Sequence, residues 1–538
     1  MTGRARHIRK VSLRLLSALT VVLASANSQA QLGQNLLVDP KALSLGNAVT
    51  ADPPGISSIH YNPAGLAYLK GRKFEAILLN PALNIEASFE APEGYNIFGI
   101  DGVKNDPVVG ERSKTRTAAI YIPGYGLQRL PKGPGLLPTN GFSINPPGSK
   151  FTFANALYFP QFVGFYRKNG DPARYNGKTV AVERITYLSP SFGYEVNDEW
   201  KVGFGVNFSY QALALDQYMR APNMMLGVAE ILQDAFNCET GREPLAPFLG
   251  LCGGNIGPWD DIGGLHLELQ ETLSPTYNLG VIWQPTPWFR WGASYQSEGK
   301  MNMKGTFELN YTPDWYGFWQ SFNGSIFGVL SGAIFGLPSG VPREAGNVTM
   351  HLRYPQHFQT GISVDVHPKL TLNIDVGWTD YSVWDAFKLE FDRNLEFLGA
   401  ARLLAPENAT SNTLILPLEY KDVWNWAFGA EFHVNSRIDL RAGVEIRDTV
   451  IPKNRRDVLA PLGGANLYSV GMGYRWSRDT DVSFSASYLR SFEQIPAGTS
   501  CNVNCDDLQN IVYNPYAGLN VTTKLKIIIL GLSFRTSF

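Results

Sequence analysis

The stretch Trp200-Lys201-Val202-Gly203-Phe204-Gly205-Val206-Asn207-Phe208-Ser209-Tyr210 decides the fold. Its even positions are Trp, Val, Phe, Val, Phe and Tyr, and its odd positions are Lys, Gly, Gly, Asn and Ser. Successive side chains of a strand point to opposite faces, so this strand has one wholly apolar face and one that is polar or bare. The same phase recurs far along the chain. Leu370, Leu372, Ile374, Val376 and Trp378 oppose Thr371, Asn373, Asp375 and Gly377, and Trp424, Trp426, Phe428, Ala430 and Phe432 oppose Asn425, Gly429, Glu431 and His433. Residues 438–446 and 468–476 repeat the pattern.

A soluble sandwich also alternates. Two features point to a membrane barrel instead. The polar faces carry glycines and charges of both signs, as a filled, wet lumen requires, and Trp, Tyr and Phe gather near strand ends, where an interfacial girdle lies. The connections are also unequal. Short turns fall at 196–199, 285–287, 366–368, 434–436 and 477–480, and long segments at 217–264, 311–345, 393–413, 447–464 and 490–521. Short turns on one side and long loops on the other fit an outer-membrane barrel, whose closure satisfies every backbone group in lipid. The expected fold is all-β, an antiparallel transmembrane β-barrel with partly helical extracellular loops. Strands are also expected at Thr115 to Tyr121 and at Phe151 to Tyr166.

Composition agrees. In 538 residues, 46 Lys+Arg face 47 Asp+Glu, and only 17% of residues are charged. With 12 Trp, 24 Tyr and 30 Phe the chain is too aromatic for disorder, and without a basic excess it is no nucleic-acid binder. Residues 1–30 read as a signal peptide. Arg4, Arg6, Arg9, Lys10 and Arg14 precede the apolar Leu15 to Ala26, and Ser28-Gln29-Ala30 offers a cleavage site. Its removal takes five basic residues from the 46 and leaves 41 against 47 acidic.

Cys238, Cys252, Cys501 and Cys505 form an even set in an exported chain, which reads as disulfides. Local pairing, 238 with 252 and 501 with 505, is the simplest of three arrangements. No histidine stands near Cys501-x-x-x-Cys505, so no metal is expected, nor any cofactor. Gly-x-Ser-x-Gly, His-Glu-x-x-His and the P-loop are all missing from the sequence, and the histidines are scattered, so no enzyme activity is expected.

Residues 31–72 are not strand-like. They contain Lys41 to Ala48, Asp52 to Ser58, and Tyr61-Asn62-Pro63-Ala64-Gly65-Leu66. This segment resembles the N-terminal plug of the FadL family of outer-membrane channels for long-chain fatty acids and other hydrophobic compounds. Asn62, Pro63, Ala64 and Gly65 carry the family's marker. The resemblance continues at Ser189 to Tyr194, Gly203 to Asn207, Tyr420-Lys421-Asp422 and Arg447 to Pro452. It implies about fourteen strands over residues 73–538, with 31–72 plugging the lumen. The terminal Phe538 is similar to the recognition signal of outer-membrane proteins, which implies an encounter with the assembly machinery.

The implied function is passive transport of hydrophobic molecules across the outer membrane, long-chain fatty acids first. Aromatic hydrocarbons on the same scaffold, or a surface adhesin, are the alternatives. The expected partners are outer-membrane lipid, lipopolysaccharide and an apolar small molecule; nucleic acid is not expected, and the protein is expected to be a monomer. The inward charges Arg290, Asp375, Glu431, Arg441, Glu445, Arg475 and Arg535 are expected to pair across the lumen and hold the plug. Two loops are unusually apolar. Met224, Met225, Val228, Ile231 and Leu232 follow helical spacing, ending near Phe236. In the other loop Gly324, Gly328, Gly332 and Gly336 recur every four residues and leave Phe318, Phe322, Ile326, Phe327, Leu330 and Ile334 to spread over the remaining surface. The resemblance implies that these loops load ligand between them.

Overall fold

The computed structural model describes residues 35–115, 118–130, 135–238, 248–335, 337–459, 463–505 and 513–538. The expected signal peptide and residues 31–34 of the expected plug lie outside these. The sheet closes on itself as a barrel of 14 antiparallel strands.

In chain order the strands are β1 (Gly71–Glu90), β2 (Leu137–Asn145), β3 (Phe151–Tyr166), β4 (Thr179–Leu188 with Ser191–Glu195), β5 (Trp200–Met219), β6 (Gly263–Thr286) and β7 (Phe289–Gln296 with Gly299–Tyr311). There follow β8 (Arg343–Tyr354 with His357–His367), β9 (Leu370–Thr379 with Ala386–Phe391), β10 (Thr413–Pro417 with Val423–His433), β11 (Ile438–Arg447), β12 (Ala465–Arg475), β13 (Thr480–Ile495) and β14 (Asn520–Ser537). Register from Lys73↔Ser537 to Glu90↔Asn520 seals β1 against β14.

The alternation has the expected facing. Trp200, Val202 and Phe204 are 38%, 38% and 44% exposed, while Lys201, Asn207 and Ser209 between them are 5%, 3% and 0%. Leu372, Ile374, Trp424, Trp426, Leu440, Tyr468 and Val470 are likewise exposed on the outside, with Asn373, Asp375, Asn425, Arg441 and Ser469 buried inside. Among the described residues no helix is long and apolar enough to cross a membrane; the strands supply the apolar band.

One expected strand lies elsewhere. Thr115 to Tyr121 is not the second wall strand; that place belongs to β2. Arg112–Lys114 pairs with the top of β1, and Ala119–Ile122 pairs with Gly126–Arg129 in a hairpin laid against the outside of the wall. Gly124 and Gly126 have positive φ, which turns the chain back immediately after Ile122. Tyr121 and Leu127 then pack on Ala181, Ala212 and Ala214, whose small side chains leave room for a second layer.

Candidate functional site

The lower lumen is filled by residues 35–70. They form α1 (Pro40–Ser44), α2 (Ser58–Tyr61) and a 3₁₀ turn at Pro63–Tyr68. Asn62 caps that turn by accepting from Ala64 N–H at 3.1 Å, and its amide donates to the carbonyls of Thr50 at 2.8 Å and of Val281 in β6 at 3.1 Å. Pro63 at the first position of the turn needs no donor there, and its fixed φ suits a helical turn. The wall makes room for this motif. Gly203 and Gly280 pair directly across β5 and β6, and a Cβ on them would lie 2.1 Å from the Pro63 carbonyl carbon and 2.0 Å from Asn62 Oδ1. Gly203 on the inward face of the deciding strand, with Gly280 opposite it, is therefore a seat for the plug motif, whereas Gly205 makes room for Ser191 of the neighbouring strand.

Charges fix the rest of the plug. Asp52 pairs with Lys41 at 2.9 Å and with Arg290 of β7. Burial opposes ionisation of Asp52, but the two cations outweigh it and hold its carboxyl well below the usual carboxylate range. Asp375 accepts from Thr50 N–H at 2.7 Å and from its hydroxyl at 2.8 Å. Glu445 accepts from Asn47 at 2.7 Å and pairs with Arg447 at 2.8 Å. Glu75 accepts from Ile56 N–H at 3.0 Å and pairs with Arg535 at 2.7 Å, and Glu431 pairs with Arg441 at 2.5 Å. Arg475 is the exception to the expected inward set. It pairs with Asp481 at 3.6 Å where both are more than half exposed, beside the short turn that joins β12 to β13.

Above the plug the lumen is apolar. A chamber of 160 Å3 is lined by Val163, Phe165, Leu213, Met301, Met303 and Leu525 among others, and a second of 190 Å3, which shares Val180, Val182 and Leu418 with it, by Leu265, Leu309, Met350 and Leu398. The first chamber meets polar groups at Gln161, Glu183, Gln211 and Asp457; Gln161 and Gln211 flank Arg184 in register on the neighbouring strands, and Arg184 itself lies outside the lining. Arg184 is buried. It stacks 4.1 Å from the centre of the Tyr354 ring and donates to Ser274 at 3.3 Å, and among the described residues it has no ion-pair partner. Sequence reasoning missed Arg184, because one arginine in an apolar strand carries no mark of whether it is paired.

The wall beside the first chamber is interrupted. β2 ends its ladder with β1 at Leu79↔Leu137, and pairing on that side of β1 resumes only at Glu86↔Lys114. β3 pairs with β2 only as far as Leu157. Among the described residues, Asn80 to Asn84 therefore lack a ladder partner on this side. Leu83 of β1 and Val163 and Phe165 of β3 line the chamber at the break. β3 also bulges there, with an extra residue around Phe159-Pro160 between Tyr158↔Thr186 and Gln161↔Arg184.

The apolar loops form α3 (Met224–Ala235), α4 (Pro313–Asn323) and α5 (Ile326–Phe335). Met224, Met225, Ile231 and Leu232 lie on the exposed face of α3, with Val228 half-buried. Phe318 is buried between the loops among Leu251, Ile256 and Trp315, with Phe236 and Phe322 packed against that cluster. Ile326, Phe327 and Leu330 are more than half exposed on α5. The side chain of Ile334 lies outside the described residues. Asn62, Pro63, Ala64 and Gly65 meet in the plug, far from these loops in the fold. Cys238 is bonded to Cys252, and Cys501 to Cys505.

A plugged 14-strand barrel can be compared with known proteins. A family model described as "Outer membrane protein transport protein (OMPP1/FadL/TodX)" matches residues 19–538. The chain belongs to this family. Among curated relatives of the family, the long-chain fatty acid transport protein of Escherichia coli O6:H1 is 22% identical over 316 residues, covering 59% of this chain and 60% of the relative. That of Salmonella typhi is 20% identical, covering 58% and 60%. The chain thus matches about three-fifths of the length of these relatives. Solved family structures agree in fold. A Pseudomonas aeruginosa FadL homologue superposes with a TM-score of 0.65 at 18% identity, over 94% of this chain and 100% of the other. The Ralstonia pickettii toluene transporter TbuX does so with 0.55 at 17%, over 93% and 98%.

Proposed function

We propose that this family member carries long-chain fatty acids through the outer membrane by passive transport, without catalysis. The observation that carries the reading is the pair of adjoining apolar chambers above the plug, with the buried Arg184, which has no ion-pair partner among the described residues, in register between the Gln161 and Gln211 that line one of them. An acyl chain fits the Leu/Met/Phe lining, and a carboxylate offers the guanidinium the partner it lacks. Ligand arrives on the apolar helices α3 and α5, whose exposed Met and Phe side chains suit molecules of variable shape. It enters the chambers and leaves sideways through the break between β1 and β3. The plug buries the axial route, whereas the break faces lipid, where an apolar solute is soluble. The protein works as a monomer, with the surrounding lipid as its sink and the assembly machinery as its partner in biogenesis.

Uptake of aromatic hydrocarbons is the second reading, supported by the likeness in fold to toluene transporters. An uncharged ring would make no use of Arg184. Arg184→Met separates the two in a deletion strain complemented with the variant. Loss of a charge-assisted hydrogen bond costs about 1.5–3 kcal/mol, so fatty-acid uptake at low concentration should fall about tenfold or more while toluene uptake holds. If fatty-acid uptake is unchanged, the carboxylate reading fails. If deleting the protein alters neither uptake but abolishes cell attachment, the adhesin reading replaces both.

A further inference from the structure

Where the lipid-facing band ends on one side of the barrel, neighbouring strands turn cations outward at nearly one height. Arg490 of β13 lies in register with Lys526 of β14, and Lys526 with Asn84 of β1. Two residues further up, Phe492 pairs with Lys524 and Lys524 with Glu86. Glu86 in turn pairs with Lys114, and Ser88 with Arg112, in the segment Arg112–Lys114. Residues opposite one another in antiparallel strands share a face, so these five cations lie on the outer surface, and all five are exposed. Glu86 is the carboxylate within the row. It holds Lys114 at 2.9 Å and reaches Lys526 at 3.9 Å, which brings both ammonium groups toward one point. Lys524 sits 5.8 Å from the centre of the exposed Phe492 ring. Glu90 and Glu111, also exposed, lie further toward the loops.

Immediately below the row the same strands expose Tyr488, Ile528, Leu530 and Leu532 to lipid. Two other outward charge clusters at the upper strand ends are matched with acids. Asp216 and Glu268 flank His266 on β5 and β6, and Glu308 pairs with Arg343 at 2.9 Å between β7 and β8. Five cations against one carboxylate on rigid strands, set directly over an apolar face, complement an amphiphile with several phosphates at the membrane boundary and acyl chains beneath. Solute in bulk water would not need the apolar face below, and a zwitterionic phospholipid would not need a surplus of four charges.

We propose that the outer surface of β13, β14, β1 and Arg112–Lys114 is a binding site for lipopolysaccharide. Its lipid A phosphates lie on Arg490, Lys524, Lys526, Lys114 and Arg112, and its acyl chains lie against Tyr488, Ile528 and Leu530. The site is independent of what the lumen transports.

The test is native mass spectrometry of the full-length protein in micelles titrated with lipopolysaccharide, with lipid A stripped of its phosphates, and with inorganic phosphate. The variant Arg490→Gln with Lys524→Gln and Lys526→Gln should lose lipopolysaccharide affinity by about tenfold or more, since each basic residue near an anionic surface contributes about 1 kcal/mol. Lys300→Gln with Lys304→Gln, on β7, should bind as the unaltered protein does. Equal affinity in the triple variant, equal binding of dephosphorylated lipid A, or displacement of lipid by millimolar inorganic phosphate would each overturn the proposal. If the triple variant fails to fold, as judged by heat-modifiable migration, Lys526→Gln alone should still weaken binding measurably, and no change there would likewise overturn it.

Discussion

The lower and upper halves of the barrel are built from the same strands yet have opposite interiors. Below, β5 and β6 point Lys201, Asn207 and Asn278 inward and Val202, Phe204, Tyr277 and Leu279 outward. Above, they point Leu213, Leu267 and Leu269 inward, with Asp216, His266 and Glu268 outward. The polarity of the two faces inverts along each long strand. Lipid surrounds the lower half, so its outside must be apolar, and its inside can be polar because a plug satisfies it. Water surrounds the upper ends of β5 and β6, so their outside is polar and the inside is free to be a hydrocarbon-like chamber; on β1 and β14 the apolar band reaches higher, with Leu530 and Ile528 exposed beside Asn80 and Ala82 at the break. In β6 the facing shifts through an irregularity opposite Ser209/Gln211, where one residue is added. The difference teaches that the level of the membrane is written into the phase of the alternation.

The largest expected effect comes from violating the lower outside. Val206 pairs with the lipid-exposed Tyr277, and Val206→Arg should cost about 2–4 kcal/mol and sharply reduce the folded fraction in bilayers, read by heat-modifiable migration. Asp216→Arg, outside but above the inversion, should fold nearly as well as the unaltered protein. If both variants fold equally, the assigned boundary is wrong.

Next is the lower inside. Asp52→Asn leaves the partly buried Lys41 and Arg290 facing each other without a counter-charge, a loss of about 1.5–3 kcal/mol for hydrogen bonds to charged groups. The wall should stay folded while the plug loosens, seen as raised single-channel conductance to small ions. A silent bilayer would remove these pairs from the account of plug retention. Acid should do much less. The Asp52 carboxyl is depressed, so its contribution is fully present above the ordinary carboxylate range and is lost only as pH falls below that range toward the depressed value. Asp52→Asn should therefore raise conductance by the same factor at pH 5 as at pH 7.

A smaller effect is expected in the loops, where the comparison sharpens the capture step. Phe327→Asp with Leu330→Asp alters two exposed residues of α5 and should lower uptake at limiting fatty acid several-fold without affecting the fold. Unchanged uptake and unchanged ligand binding would reduce these helices to packing elements. The smallest effect expected is on Tyr125→Ser at the tip of the outer hairpin, which is 79% exposed and touches no part of the chamber. Uptake should be unaltered, and a marked loss would bring the hairpin into the route.

Alternation is local, so the sequence by itself determined which side of each strand meets lipid, the short and long ends of the barrel, and the non-strand segment that becomes the plug. The spacing of Trp200 to Tyr210 suffices because a side chain's facing depends only on its neighbours. Pairing is not local. Asn47 reaches Glu445 across 398 residues, and Glu75 reaches Arg535 across 460. Arg290, Arg441 and Arg535 are spent on such partners while Arg184 is not, and only the closed register of distant strands decided that. The break between β1 and β3 was equally hidden. Thr115 to Tyr121 has the composition of a wall strand, but the turn at Gly124 and the small residues Ala181, Ala212 and Ala214 hold its end, Ala119 to Tyr121, outside the wall, a choice made by packing rather than by propensity. The basic row joins Lys114 to Arg490 and Lys524 because β1 closes against β14, so the first and last strands of the barrel meet where it seals.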